Sequence, residues 1–295
     1  MISNPALTIY DESIQQYINV DFEIQTIDDS CSFSEGPVWN PEGFYLFSDI
    51  PENIICKISE GNTKEIFIER SGCTLDDISF LSQQIGSNGL TFNNEGALLI
   101  CQHGNGAVAK WDGNSIDPFI NEYNNKRFNS PNDIVIHKNG TVFFSDPPYG
   151  LIDQKLMPEN FQSIAGIYSF KDEQIFLICD KFQYPNGVCL SPDHKILYCC
   201  SNKPTEKFVL MYDAETFELN GQLCEENGDG IKCDKRGNLY LCTRDGLLII
   251  DESGKRLGMI QLKTIPANCG WGGENGNDLL ITARENIFLI KDLQR

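Results

Sequence analysis

Residues 131–147 read PNDIVIHKNGTVFFSDP. A polar Asn132 precedes a short apolar run at 134–136, Asn139-Gly140 follows, and a second apolar run at 142–144 ends in Ser145 and Asp146. Two such runs around Asn-Gly predict a β-hairpin with a type I′ turn, because both turn residues tolerate positive φ. Five further stretches repeat the pattern: EGPVWNPEGFYLFSDI from Glu35, NGLTFNNEGALLICQH from Asn88, NGVCLSPDHKILYCCSN from Asn186, DGIKCDKRGNLYLCTR from Asp229 and NCGWGGENGNDLLITAR from Asn268. Each copy begins with a carboxylate or carboxamide side chain and places a turn residue eight positions later: Gly43, Gly96, Gly140, His194, Gly237 or Gly276. Successive copies start 53, 44, 54, 43 and 39 residues apart, the length of a four-stranded blade with a variable loop. The repeat predicts an all-β chain folded as a six-bladed β-propeller.

Residues 22–27 form a further strand candidate, placed to complete the last blade after 268–295 and so close the ring without an open sheet edge. Between the hairpins, strand patterns occur at 54–58, 65–68, 107–111, 166–170, 174–179, 209–213 and 247–251, giving each unit material for about four strands. Six blades use nearly the whole length, so residues 1–295 read as a single propeller domain. Two insertions, 72–87 and 151–165, carry apolar residues such as Leu81, Ile85, Met157 and Phe161. Rim loops of that kind either roof a central cavity or cover blade flanks.

Hydrophobic residues make up 41% of the chain, enough for a sizeable core, and no 18-residue apolar run is present to span a membrane. A net charge of −19, from 42 acidic and 23 basic residues, repels nucleic-acid backbones and anionic membrane surfaces. The first residues lack the basic and apolar regions of a signal peptide, and the expected location is cytoplasmic. Many of the twelve cysteines, Cys101, Cys189, Cys199, Cys233 and Cys242 among them, sit in apolar strand runs without a Cys-x-x-Cys pair. They read as reduced core residues.

The chain has no G-x-S-x-G elbow, no H-E-x-x-H and no phosphate-binding G-x-x-x-x-G-K. Gly104-Asn105-Gly106 superficially fits a dinucleotide loop, but a strand and turn follow it. His137 and His194 fall in or beside turns, which leaves His103, at a strand end, as the one histidine able to approach a site. The positive signal is the set Glu35, Asn88, Asn132, Asn186, Asp229 and Asn268, which the repeat places in one ring about the propeller axis. Asn-Gly and Asp-Gly at strand entries also suit αL turns. Glu35 has no such turn preference, however, and Asn132 and Asn268 are not followed by Gly. Two carboxylates and several amide oxygens, with no Cys or His among them, suit a hard divalent cation, Ca²⁺ first, with Mg²⁺, Mn²⁺ and Zn²⁺ as alternatives. Asp49 and Asp146, in the strand ends FSDI and FSDP, read as turn or cap residues.

The stretches SEGPVW, NGLTF with CQHGN, SPNDIVIHKNGTVFFSDPPYG, PNGVCLSPD, GDGIKCDKRGNLY and NCGWGG with ITAR together resemble the gluconolactonase, senescence-marker-protein and luciferin-regenerating-enzyme family, most closely its bacterial gluconolactonase branch. The resemblance implies a six-bladed propeller with one divalent metal ion in its channel that hydrolyses small sugar-type lactones. Carried over by position, it makes Glu35, Asn186 and Asp229 metal ligands, Asp229 the general base and Asn132 a substrate contact. Asn88, Asn268 and His103 are further expected substrate-side residues. Some members have an Arg where this chain has Ser130. A hydroxide on the cation is the alternative to Asp229 as activator of the attack. An esterase or phosphotriesterase on the same fold, and a non-catalytic binding scaffold, are the competing functions.

Overall fold

The structure, a computed structural model, describes residues 4–59, 61 and 63–294. Among the described residues, six antiparallel sheets of four or five strands follow one another at 34–69, 87–120, 134–179, 185–224, 231–260 and 268–290, here blades 1 to 6. The first two strands of every blade come from one copy of the repeat, as in Ile134–Ile136 paired with Val142–Asp146. Gln25–Asp28 pairs with Asn286–Ile290 as the outermost strand of blade 6, so a strand from before blade 1 closes the ring. This strand begins three residues later than the sequence pattern indicates, because Phe22 is drawn into the core between blades 5 and 6. The sequence pattern gave no sign of Leu7–Ile9, which adds a fifth strand to blade 5 beside Arg256–Ile260. Buried Ile14, on the short 3₁₀ helix Glu12–Gln16, anchors it.

All six turn residues of the repeat donate their N–H to the carbonyl three positions earlier and have positive φ, from 65° at His194 and Gly276 to 100° at Gly43. The turn at Asn139-Gly140 is nevertheless not type I′. Gly140 is left-handed, Asn139 is not, and His137 and Thr141 bracket a three-residue loop. That is a type I turn ending in a bulge at Gly, held here because the Asn139 side chain accepts from Thr141 N and Oγ1.

Because both faces of each blade are covered by neighbours, the second strands are apolar on consecutive residues instead of alternating with polar ones. Leu46 packs toward blade 2, while Tyr45 and Phe47 pack toward blade 6. Six such clusters fill the six seams between adjacent blades. Truncating fully buried Phe47 to Ala would cost about 3–5 kcal/mol at one seam. All twelve cysteines are free, and ten are buried, in keeping with a reduced core role. The two insertions pack on each other: Leu81 bridges Leu151, Cys73 and Phe161 join them, and the Arg127 guanidinium lies 4.6 Å from the Phe161 ring centre.

Candidate functional site

The inner strands begin on one face of the propeller, and there the ring residues converge. Register shifts follow Glu35, Ser87 and Pro185, so the polar side chains of blades 1, 2 and 4 sit in bulges at strand entry. The glycines after them serve close approach more than turn geometry. A Cβ on Gly36, Gly89 or Gly187 would lie 2.1, 2.5 or 2.6 Å from the carbonyl oxygen of the next ring residue, Asn88, Asn132 or Asp229. Of these glycines only Gly36 is left-handed. Gly89 and Gly187 donate to those same carbonyls at 2.7 and 2.9 Å, stitching successive inner strands around the axis.

Glu35, Asn88, Asn132, Asn186 and Asp229 line one cavity of about 560 Å³, a size that suits a small ligand. Asn268 stands behind them: its Oδ1 accepts from Cys269 N at 2.9 Å, and its side chain hydrogen-bonds Glu35. Asn186 donates to Asp229 Oδ1 at 2.5 Å, and Asn202 hydrogen-bonds the same carboxylate while accepting from Tyr149 Oη at 2.6 Å. His103 is fully buried and does not line the cavity, yet it holds two of the ring amides. Its Nδ1 lies 3.1 Å from the Gln84 carbonyl, which can only accept, so Nδ1 carries the proton. Nε2 is then an acceptor, 3.3 Å from Asn88 Nδ2 and 3.4 Å from Asn132 Nδ2. Burial depresses His103 to a pKa of about 4 and keeps it neutral. Asn88 Oδ1 and Asn186 Oδ1 are left buried without a hydrogen-bond partner.

Burial first, and the charge of Asp229 second, raise the Glu35 carboxyl well above its ordinary pKa. Burial likewise lifts Asp229 to about 6. Two carboxylates pushed up in this way mark a desolvated floor, where a cation in contact would favour their ionised forms. Among the described residues, no group of three or more His, Cys, Asp or Glu is placed to hold a metal ion. The oxygens gathered here are two carboxylates and partnerless amides, the donor chemistry of a hard cation.

Asp49 and Asp146 are structural, as expected: Asp49 accepts from Ser32 N and Phe33 N, and Asp146 from Asn129 N and Ser130 N. They pin the loops that deliver Glu35 and Asn132. Ser130 is buried in that loop, bonded to Pro147 O and Gly150 N, and does not face the cavity. Sequence reasoning passed over Asp133, whose carboxylate accepts from Ile134 N, Val188 N and the Lys232 ammonium at 3.0 Å. It also passed over the cavity residues Tyr149, Asn202, Lys203, Arg244 and Arg284. A signal for several of them existed. Ile50, Asn202, Arg244 and Arg284 each directly follow the second strand of their blade, seven or eight residues past the turn, as does His103.

A family profile described as the SMP-30/Gluconolactonase/LRE-like region matches residues 33–285. The chain belongs to this family. It is 30% identical over 310 residues to a gluconolactonase of Zymomonas mobilis, covering 97% of this chain and 85% of the relative. The solved structure of a gluconolactonase from Xanthomonas campestris superposes with a TM-score of 0.82 at 20% identity, covering 98% of this chain and 95% of the other. Regucalcin from Agrobacterium tumefaciens, described as a calcium-binding protein, superposes at 0.71 with 16% identity, covering 92% and 95%. At those identities both structures testify to the shared six-bladed fold of the family. No helix of the described residues is long and apolar enough to cross a membrane.

Proposed function

We propose that this protein is a lactone hydrolase that opens a small sugar-type lactone by attack of water on the ring carbonyl, using one divalent cation, Ca²⁺ first, held by Glu35, Asn186 and Asp229. The observation that carries this is the cavity floor, where two carboxylates raised by burial meet the partnerless Oδ1 of Asn186, in a chain of the gluconolactonase family. When bound, the cation would supply positive charge opposite the carbonyl oxygen as charge develops there. Asn132 and Asn88, fixed by His103 Nε2, present their amides to the substrate. Asp229, oriented by Asn186 and Asn202, takes the proton of the attacking water. The new C–O bond forms at the carbonyl carbon, the ring C–O bond breaks, and that proton passes to the departing ring oxygen. The Asp229 pKa, about 6 without a cation, would be lowered by a bound one, which holds the carboxylate in the ionised form that accepts a proton.

The test is acid release from δ- and γ-lactones in lightly buffered solution, with metal removed and restored. Asp229→Asn should lose about 10²–10⁴-fold in kcat, and Glu35→Gln should abolish the stabilisation that Ca²⁺ gives the native protein. That stabilisation is about 2.7 kcal/mol at a hundredfold excess over Kd. Activity that survives both exhaustive chelation and Asp229→Asn would overturn the assignment.

A further inference from the structure

The chain carries 42 acidic and 23 basic residues, yet the cavity wall reverses that balance. Its carboxylates are Glu35 and Asp229 on the floor, whereas Lys203, Arg244 and Arg284 stand along the remainder of the lining. Arg244 and Arg284 are exposed and Lys203 is half-buried. None of the three belongs to an ion pair among the described residues. Arg284 instead lies over the Phe33 ring at 5.9 Å, and the Lys203 ammonium lies 5.4 Å from the Tyr184 ring centre while donating to Gln183 Oε1. Two stacked cations and one guanidinium outside any ion pair thus share a concave wall, and of the floor carboxylates Asp229 feels the Arg284 charge at a distance without pairing with it. A neutral polyol is served by amides and hydroxyls, which the cavity already has in Asn88, Asn132, Tyr149 and Asn202. Guanidinium forks match carboxylate and phosphate oxygens, which they bind in pairs.

We infer that this wall is an anion subsite and that the substrate is a lactone bearing an additional carboxylate or phosphate ester, remote from the carbonyl that is attacked. This rests on the lactone-hydrolase reading above. The anionic group is bound and not altered. It sets the orientation of the ring over the floor, and the three cations draw it in against the negative field of the rest of the chain.

The experiment compares kcat/KM for glucono-δ-lactone with that for its 6-phosphate and for a glucaro-lactone, which carries a free carboxylate. At least one anionic lactone should be favoured about tenfold or more, with the better of the two identifying the anion. Arg244→Gln should lower kcat/KM for that substrate about tenfold to hundredfold, mostly through KM, and for the neutral lactone less than about threefold. Added NaCl should weaken the anionic reaction alone. Equal kcat/KM for neutral and anionic lactones, or an equal loss on both in Arg244→Gln, overturns the inference while leaving the lactonase intact. Calorimetry with two ring-free probes separates the two ideas. Glucitol 6-phosphate that binds better than glucitol, and loses that advantage in Arg244→Gln and Arg284→Gln, supports the subsite even if no lactone is turned over. That last result would sink only the lactonase reading.

Discussion

Replacing Asp133 by Asn removes the carboxylate that faces Lys232 and leaves the ammonium in place. The pair is largely shielded: the Asp133 side chain is 3% exposed and that of Lys232 is 21%, with 3.0 Å between them. Burial acts to lower the Lys232 pKa, and the attraction of Asp133 outweighs it, so the ammonium stays above its ordinary value. A group raised in this way contributes stability that is fully present below its unfolded pKa of about 10.4 and is lost only at higher pH, so the pair is intact throughout the neutral range. Stranding one member of a buried pair costs about 3–5 kcal/mol. With an unfolding entropy of about 2.1 cal/mol/K per residue, 295 residues give about 0.6 kcal/mol per degree, and Tm should fall by about 5–8 °C. Lys232→Met should cost less, because Asp133 keeps the N–H groups of Ile134 and Val188. In the double variant Asp133→Asn with Lys232→Met, at least half of the Asp133→Asn loss should return. Denaturant unfolding at pH 7, checked by calorimetry, measures all three. An Asp133→Asn protein within about 1 kcal/mol of the parent, or a double variant no more stable than Asp133→Asn, would refute the argument.

Metal-free protein should lose stability as pH rises. Burial raises Glu35 well above its ordinary value, Asp229 to about 6 and Asp146 to about 7, so the folded chain holds protons that the unfolded chain gives up. Their contribution is present below about pH 4 and is lost as pH climbs through 6 to 7, about 3 kcal/mol of it from Asp229. Melting in chelator from pH 5 to 8 should show a falling Tm, with a shallower slope in Asp229→Asn and after Ca²⁺ addition; a flat profile contradicts the raised carboxyls. Gly187→Ala sets a Cβ 2.6 Å from Asp229 O and 2.7 Å from Ile231 N, both backbone atoms, so it should cost about 1–3 kcal/mol and reduce lactone turnover with it. Gly43→Ala meets open space and bears only left-handed strain, about 1 kcal/mol, with activity unchanged. Equal effects of the two substitutions on turnover would disprove the interblade packing role of Gly187.

The architecture was legible because propeller blades repeat their physics in sequence. One polar entry residue, one left-handed turn residue eight positions on and two apolar runs recur six times, and each feature answers to a local requirement. Asn139-Gly140 shows the limit of that locality. The same dipeptide serves a type I′ turn or a type I turn with a bulge, and the choice falls to the length of the loop and the Asn139–Thr141 bonds. Leu7–Ile9 was missed for a related reason: it is a three-residue edge strand, half-buried at Leu7 and exposed at Thr8 and Ile9, and its pairing with Arg256–Ile260 depends on a contact some 250 residues away.

For the site, the ring was readable and its supports were not. The ring position is fixed by register, so Glu35, Asn88, Asn132, Asn186 and Asp229 align from the repeat alone, and all five line the cavity. Asp133 and Lys232 occupy different offsets in blades 3 and 5, separated by 99 residues, and only closure of the ring sets one against the other. His103 lay in the legible register but was ambiguous, because a histidine at a strand end does not reveal whether it faces substrate or the back of the residues that do. Its lack of a place in the cavity wall, with Nε2 toward two amides, makes it a residue that sets where amide oxygens point. The cations of the wall follow the same logic from the other side. Arg244 and Arg284 sit at one repeat position just past the second strands of blades 5 and 6, where the ring register, carried seven or eight residues beyond the turn, brings a second tier of side chains over the first. A polar floor set by the first tier and a basic wall set by the second are therefore independent in sequence. The reaction chemistry can stay fixed in such a scaffold while the wall changes what the floor is given to act on.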